Sequence, residues 1–181
     1  MLSMTEKELI EGAVKRDPRC QRALFDRHSS TLMGVCLRYC RNPPEAEDVL
    51  QESFIRIFDK LHLYDFKGSF EGWMKRLTVN VALKTYQRKH FTHEKSGLEV
   101  LPETPTDPSA YARLGEEELL SLVANLPDGY RLVFNLFAIE GFSHKEVAAK
   151  LGIQEASSRS QLLKARKLLQ QQIQRRQRIA I

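Results

Sequence analysis

One interruption constrains this chain more than any other feature of it. Between Phe91 and Ala112 the helical spacing of apolar residues is lost, and Pro102, Pro105 and Pro108 recur among Ser, Thr and four acids against one Lys. Such a segment reads as a solvated linker. The 181 residues therefore divide, and two small cores are expected, one from residues 1–90 and one from residues 113–181, joined by a linker over 91–112.

On both sides of the linker the signals are helical. Thr5 with Glu8 forms a capping box, and Asp17 before Pro18 sets a cap residue ahead of a proline suited to a first helical position. The helix over 18–41 carries Cys20, Leu24, Leu32, Val35, Cys36 and Tyr39 on one face and stops at Arg41-Asn42-Pro43-Pro44. In EAEDVLQESFIRIFDKL, Ala46, Val49, Leu50, Ile57, Phe58 and Leu61 make a stripe for burial, while Glu45, Glu47, Asp48, Glu52 and Asp59 leave the other face acidic around Arg56. A fourth helix opens at Ser69 and reaches Lys89, its inner face being Phe70, Trp73, Leu77 and Val81. Beyond the linker, helices are expected over 116–126, 130–140, 144–151 and 155–172, with a turn at Pro127-Asp128-Gly129, a capping box at Ser143 and Glu146, and a break at Gly152. No segment alternates with period two, so the fold class is all-α, two small helical domains.

Composition sets outer limits. A chain that is 42% hydrophobic and 28% charged is ordinary for a soluble globular protein. No stretch approaches the roughly 18 apolar residues of a membrane span, and MLSMTEKELIEGAVKRD lacks the apolar core of a signal peptide. The expected location is the cytoplasm. Cys20, Cys36 and Cys40 contain no CxxC pair and read as buried, reduced packing residues.

The net charge of +5 matters through its placement. Helix 144–151, Gly152 and the following helix have the layout of a helix-turn-helix, whose second helix lies in the major groove of DNA. Val147, Ala148 and Leu151 would face the core with Ile153 and Leu162. Ser157, Ser158, Arg159 and Gln161 then fall on the first turns of the second helix, with Arg159 and Gln161 the stronger base readers. From Ala156 to Ile181 there are seven basic residues and no acid, Lys164 and Arg166 among them, as suits a phosphate-facing surface.

A second basic cluster lies in KGSFEGWMKRLTVNVALKTYQRK, residues 67–89, with six Lys or Arg, including Lys75, Arg76, Lys84 and Arg88, against one Glu. Phe70, Trp73 and Tyr86 are interleaved. Basic side chains beside aromatics suit a single strand, whose unpaired bases can stack, whereas a duplex offers no base faces. Trp73 and Phe70 also fit core packing between helices. Nothing in the periodicity buries His62, Tyr64 and Phe66, so an extruded base is expected to settle among them. Just upstream, the acidic face of the third helix suits a basic protein partner.

An acidic protein-facing surface, a basic aromatic one and a duplex-reading one in a single chain resemble the extracytoplasmic-function (ECF) sigma factors of bacterial RNA polymerase. AEDVLQESFIRIF resembles the best-known motif of the family's second region, GSFEGWMKRLTVNVALKTYQRK its promoter-melting segment, and LPDGYRLVFNLFAIEGFSHKEVAAKLGI the start of its fourth region. The resemblance implies that Asp48, Gln51 and Glu52 grip the clamp helices of core RNA polymerase, with Phe54 as an apolar anchor. It implies that Asn80, Lys84 and Arg88 face the minus-ten element, that residues 62–70 hold a flipped base of the non-template strand, and that Arg159, Gln161, Lys164 and Arg166 contact the minus-thirty-five element. The pattern departs from the family at Ser157-Ser158, where a Thr-Val pair is common, and at Gln161, where Arg is frequent. No catalytic residue, cofactor or metal is implied; the implied partners are core polymerase, promoter DNA as duplex and as single strand, and in many relatives an anti-sigma factor.

Two other readings compete. A stand-alone helix-turn-helix regulator would use residues 1–90 for dimerisation or sensing and needs no polymerase grip. A metal-dependent hydrolase would draw on His90 and His93, which stand at the end of a helix without an ordered set of acid or Cys ligands. His28 and His144 carry no signal of their own.

Overall fold

The computed structural model describes residues 4–96 and 115–179, with side chains described over 4–88 and 120–175. All regular structure among the described residues is helical, and the chain divides into two compact units, Met1–Leu98 and Glu99–Ile181.

The first unit contains α1 (Glu6–Val14), α2 (Pro18–Tyr39), α3 (Pro43–Lys60), a 3₁₀ turn (Leu61–Leu63) and α4 (Phe70–Ser96). Its helix starts are set locally. The Thr5 amide donates to Glu8 Oε2 at 2.7 Å, Arg19 N donates to Asp17 Oδ1 at 2.8 Å, and Glu45 N donates to Asn42 Oδ1 at 2.9 Å, so each N-terminus has a side-chain acceptor for a backbone donor the helix cannot satisfy. Helix α2 is the central post. Its Leu24, Leu32, Val35 and Cys36 are buried with Ala46, Val49 and Ile57 of α3 and Phe70, Met74 and Val79 of α4. Because α4 packs against both α2 and α3, Val79, Val81, Ala82 and Leu83 are all buried, and the single inner face expected from Phe70, Trp73, Leu77 and Val81 is too narrow. Two buried hydroxyls are satisfied within their own helices, Ser53 donating to Val49 O at 2.6 Å and Thr78 to Met74 O at 3.0 Å.

The second unit contains α5 (Gly115–Ala124), α6 (Asp128–Phe134), a π-helical segment (Asn135–Ile139), α7 (His144–Leu151) and α8 (Glu155–Ile179). Leu122, Val123 and Leu126 meet Ala165 and Leu169 of α8, flanked by Tyr130 and Phe134. Ser143 and Glu146 form the expected capping box, and Gly152 ends α7 at φ 68°, a left-handed conformation that glycine adopts without steric cost.

Several extents differ from expectation, and of the turn expected at Pro127-Asp128-Gly129 the last two residues are helical, since α6 begins at Asp128. Helix α4 runs to Ser96 rather than Lys89, since no glycine or proline follows until Gly97. Helix α8 runs to Ile179 rather than 172, through a run of Gln and Arg that favours helix. The regular helix expected over 130–140 becomes π-helical from Asn135, where Glu140 N donates to Asn135 O at 2.9 Å, and the widened turn leaves both Asn135 and Leu136 at 0% exposure. The rest of the expected linker, residues 97–112, lies outside the described residues.

Candidate nucleic-acid and protein interfaces

The outward side of α3 is acidic. Asp48 and Gln51 are exposed and Glu52 half-buried, with Glu47 and Asp59 exposed along the same helix. Arg56 donates to Glu52 at 2.8 Å and Glu45 accepts the Arg41 amide at 3.1 Å, so part of this charge is already engaged. Phe54 is a correction. It is only 4% exposed, its ring 4.6 Å from that of Phe25 and 5.8 Å from that of Phe58, so it belongs to the core and cannot anchor a partner. The surface apolar residue is its neighbour Ile55, 57% exposed. Ile55 stands seven residues after Asp48, four after Gln51 and three after Glu52, on the same side of the helix.

On α4 the exposed residues Arg76, Asn80, Lys84 and Arg88 recur every four positions and form one slowly drifting stripe. Lys75 is half-buried and pairs with Glu71 at 2.6 Å; the hydrogen bond from Lys75 and its charge hold the Glu71 carboxyl below the usual carboxylate range. The acidic and basic helices share a groove of about 340 Å³, lined by Glu45, Asp48 and Glu52 on one wall and Lys84, Thr85 and Arg88 on the other. In the sequence these read as separate surfaces, because residues some 36 apart show no sign of facing each other until α3 and α4 pack.

The loop before α4 sorts its aromatics sharply. Tyr64 is a correction: it is buried, its hydroxyl donates to Gly68 O at 2.9 Å, and its ring lies 5.1 Å from Phe70 and 5.5 Å from Trp73, so it buttresses the loop and presents no face to a base. Burial pushes its phenol pKa up. Phe66 is the ring at the surface, 47% exposed, held at φ 60° in the left-handed region that costs a bulky residue strain. Trp73 is half-buried, stacked on Phe70 at 5.8 Å with 16° between planes, and His62 is exposed.

In the second unit Arg159, Lys164 and Arg166 are exposed along α8, Arg159 paired to Glu155 one turn earlier. Ser157 is half-buried. Ser158 and Gln161 are corrections. Ser158 has 0% exposure and shares a hydrogen bond of 2.9 Å with His144 Nδ1, so it faces inward. Gln161 turns toward the start of α6, where a Cβ at Gly129 would lie 2.9 Å from its Oε1, and that oxygen is buried without a partner. Neither can meet a base edge. Leu163, 70% exposed between these cations, went unnoticed in the sequence, although it lies one residue from Lys164 and four from Arg159.

With this geometry in place, comparison with known proteins is decisive. The model of sigma-70 region 2 matches residues 24–92 and that of sigma-70 region 4 matches residues 116–169. Over 156 residues, 81% of its length, the chain is 32% identical to the ECF RNA polymerase sigma factor SigE of Mycolicibacterium smegmatis. The chain belongs to the ECF group of the sigma-70 family. It spans 58% of the length of that SigE. A second ECF relative, SigW of Bacillus subtilis, is 25% identical across 95% of the chain and 98% of its own length. The fold is shared with the sigma factor RpoE of Bartonella quintana, solved in complex with the anti-sigma factor NepR, at a TM-score of 0.58 and 17% identity over 84% of this chain and 96% of that one. The region 2 match contains α3 and the described part of the α4 stripe; the region 4 match contains α7 and the basic start of α8. No helix among the described residues is long and apolar enough to cross a membrane.

Proposed function

We propose that this ECF-group chain directs core RNA polymerase to promoters and helps to open them. Residues 1–90, with α4 continued to Ser96, serve as the polymerase-binding and melting domain, and residues 113–181 as the minus-thirty-five reader. Asp48, Gln51 and Glu52 meet a basic surface of the polymerase, with Ile55 as the apolar contact. Arg76, Asn80, Lys84 and Arg88 track the minus-ten strand, with Lys75 beside them, and Phe66 and Trp73 receive an unstacked base. Ser157, Arg159, Lys164 and Arg166 hold the upstream duplex.

The free energies are compatible. Unstacking a base step costs a few kcal/mol, and stacking a captured base on an aromatic returns about 1–3 kcal/mol. Backbone neutralisation by the α4 cations supplies more. Binding and positioning suffice, so the chain needs no catalytic group of its own and acts in the cytoplasm with the polymerase. An anti-sigma protein that covered the acidic ridge would block initiation by occupying the same surface.

The observation that carries this reading is the co-occurrence of an exposed acidic ridge on α3 and an exposed basic stripe on α4 in one unit, linked to a helix-turn-helix in the other. A stand-alone regulator gives no use to that ridge. The test is run-off transcription with purified core polymerase on a library of genomic promoter fragments. Discrete start sites that depend on the added chain are expected; their absence refutes the proposal.

A further inference from the structure

His144 is the first residue of α7, and Ser158 stands in the first turn of α8. The two share a hydrogen bond of 2.9 Å between Nδ1 and Oγ across fourteen positions of sequence. The imidazole does not hang free: its plane stacks on the Phe137 ring of the π-helical segment, centroids 4.2 Å apart and planes at 21°. Three elements thus meet at one side chain. Ser158 is wholly buried, and a buried hydroxyl that loses its partner is costly, so the pairing ties the rotation of α8 to that of α7. One turn of α8 carries both this inward serine and the outward Arg159, with half-buried Ser157 on its other side. Rotating α8 about its axis would move those side chains relative to a groove, and the His144 bond opposes that rotation together with the buried Leu162, Ala165 and Leu169.

We propose that His144 is a positioning residue for duplex reading: through Ser158, and with its ring plane set by Phe137, it fixes the angle at which Ser157 and Arg159 meet base edges. It touches no DNA itself. The inference rests on the minus-thirty-five role proposed above and adds a specificity-determining residue to it.

The variants separate the two contacts. His144→Phe keeps a ring for Phe137 and loses the hydrogen bond; His144→Asn places an amide near the position of Nδ1 and loses the stack; Ser158→Ala removes the other partner with little change of volume. Each full-length variant is assembled with core polymerase, and its affinity is measured for a duplex selected by the wild-type holoenzyme from a randomised pool and for a scrambled duplex. For His144→Phe and for Ser158→Ala the ratio of the two affinities falls about five-fold, as the loss of one hydrogen bond predicts. The double variant falls no further than the worse single, because both remove the same bond. His144→Asn recovers most of the ratio. Affinity for the scrambled duplex stays constant in all four, since phosphate contacts carry no sequence information. Melting temperatures recorded alongside identify any variant that fails to fold, and Ser158→Ala then decides alone. An unchanged ratio in Ser158→Ala, or additive losses in the double variant, overturns the inference while the promoter-reading role stands. A wild-type holoenzyme that selects no sequence upstream overturns both.

Discussion

Removing three exposed cations from α4 tests the single-strand surface quantitatively. Arg76, Lys84 and Arg88 are exposed on a helix, so replacing all three by Ala removes charge without opening the core and keeps good helix formers in place. Each cation that neutralises a phosphate of a single strand contributes about 0.7 to the slope of log K against log salt. Three contribute about 2.1, and by the same relation the triple variant binds about fifty-fold more weakly at 0.15 M salt, the difference shrinking toward nothing near 1 M. The assay is fluorescence anisotropy of holoenzyme with a labelled non-template strand over a salt series. Affinity for an upstream duplex is the control and stays unchanged. A slope that does not move, or an equal loss on the upstream duplex, refutes the placement of the strand on α4.

Two further outcomes follow from packing and titration in the first unit. A Cβ at Gly12 would collide with Cys20 Sγ, so Gly12→Ala overpacks the contact between α1 and α2 and costs about 1–3 kcal/mol, read by denaturant unfolding; the Cys20→Ala background makes room and the double-mutant cycle shows strong coupling, whereas additive effects would contradict the close approach. His28 is buried with its Nε2 3.8 Å from Glu6 and its ring edge-on to Phe70 at 5.7 Å. Burial lowers its pKa below 6.5, outweighing the opposite pull of Glu6 and Glu71, so its contribution is fully present above pH 6.5 and is lost as pH falls through the lowered folded value. His28→Leu flattens that acid-side slope in thermal melts, and an unchanged slope would show that another group is responsible.

Much of this architecture was legible because the relevant signals are local. Thr5 with Glu8, Asp17-Pro18, Ser143 with Glu146, and Gly152 each act within one turn, and each appears where its spacing places it. The acid face of α3 was legible for the same reason. What escaped depends on partners distant in sequence or on a choice of face. In SFIRIF, apolar residues crowd one turn, and a step of one residue rotates a side chain by about 100°, so Phe54 and Ile55 exchange core and surface roles without disturbing the pattern. Tyr64 has the composition of an exposed loop aromatic until Gly68 O accepts its hydroxyl. Ser158 and Gln161 were misplaced although the signal was present: Ser158 stands four residues before Leu162 and Gln161 four before Ala165, on the face that α8 buries, where His144 and the approach of Gly129 meet them.

Association with the polymerase is the claim on which all else depends, and it is tested most directly by size-exclusion chromatography of the full chain with purified core enzyme at moderate salt. The wild-type chain is expected to travel with the enzyme, and the Asp48→Lys/Glu52→Lys variant, checked by circular dichroism for wild-type helix content, to elute alone. A wild-type chain that elutes unattached, or a charge-reversed one that still travels with the enzyme, contradicts the account.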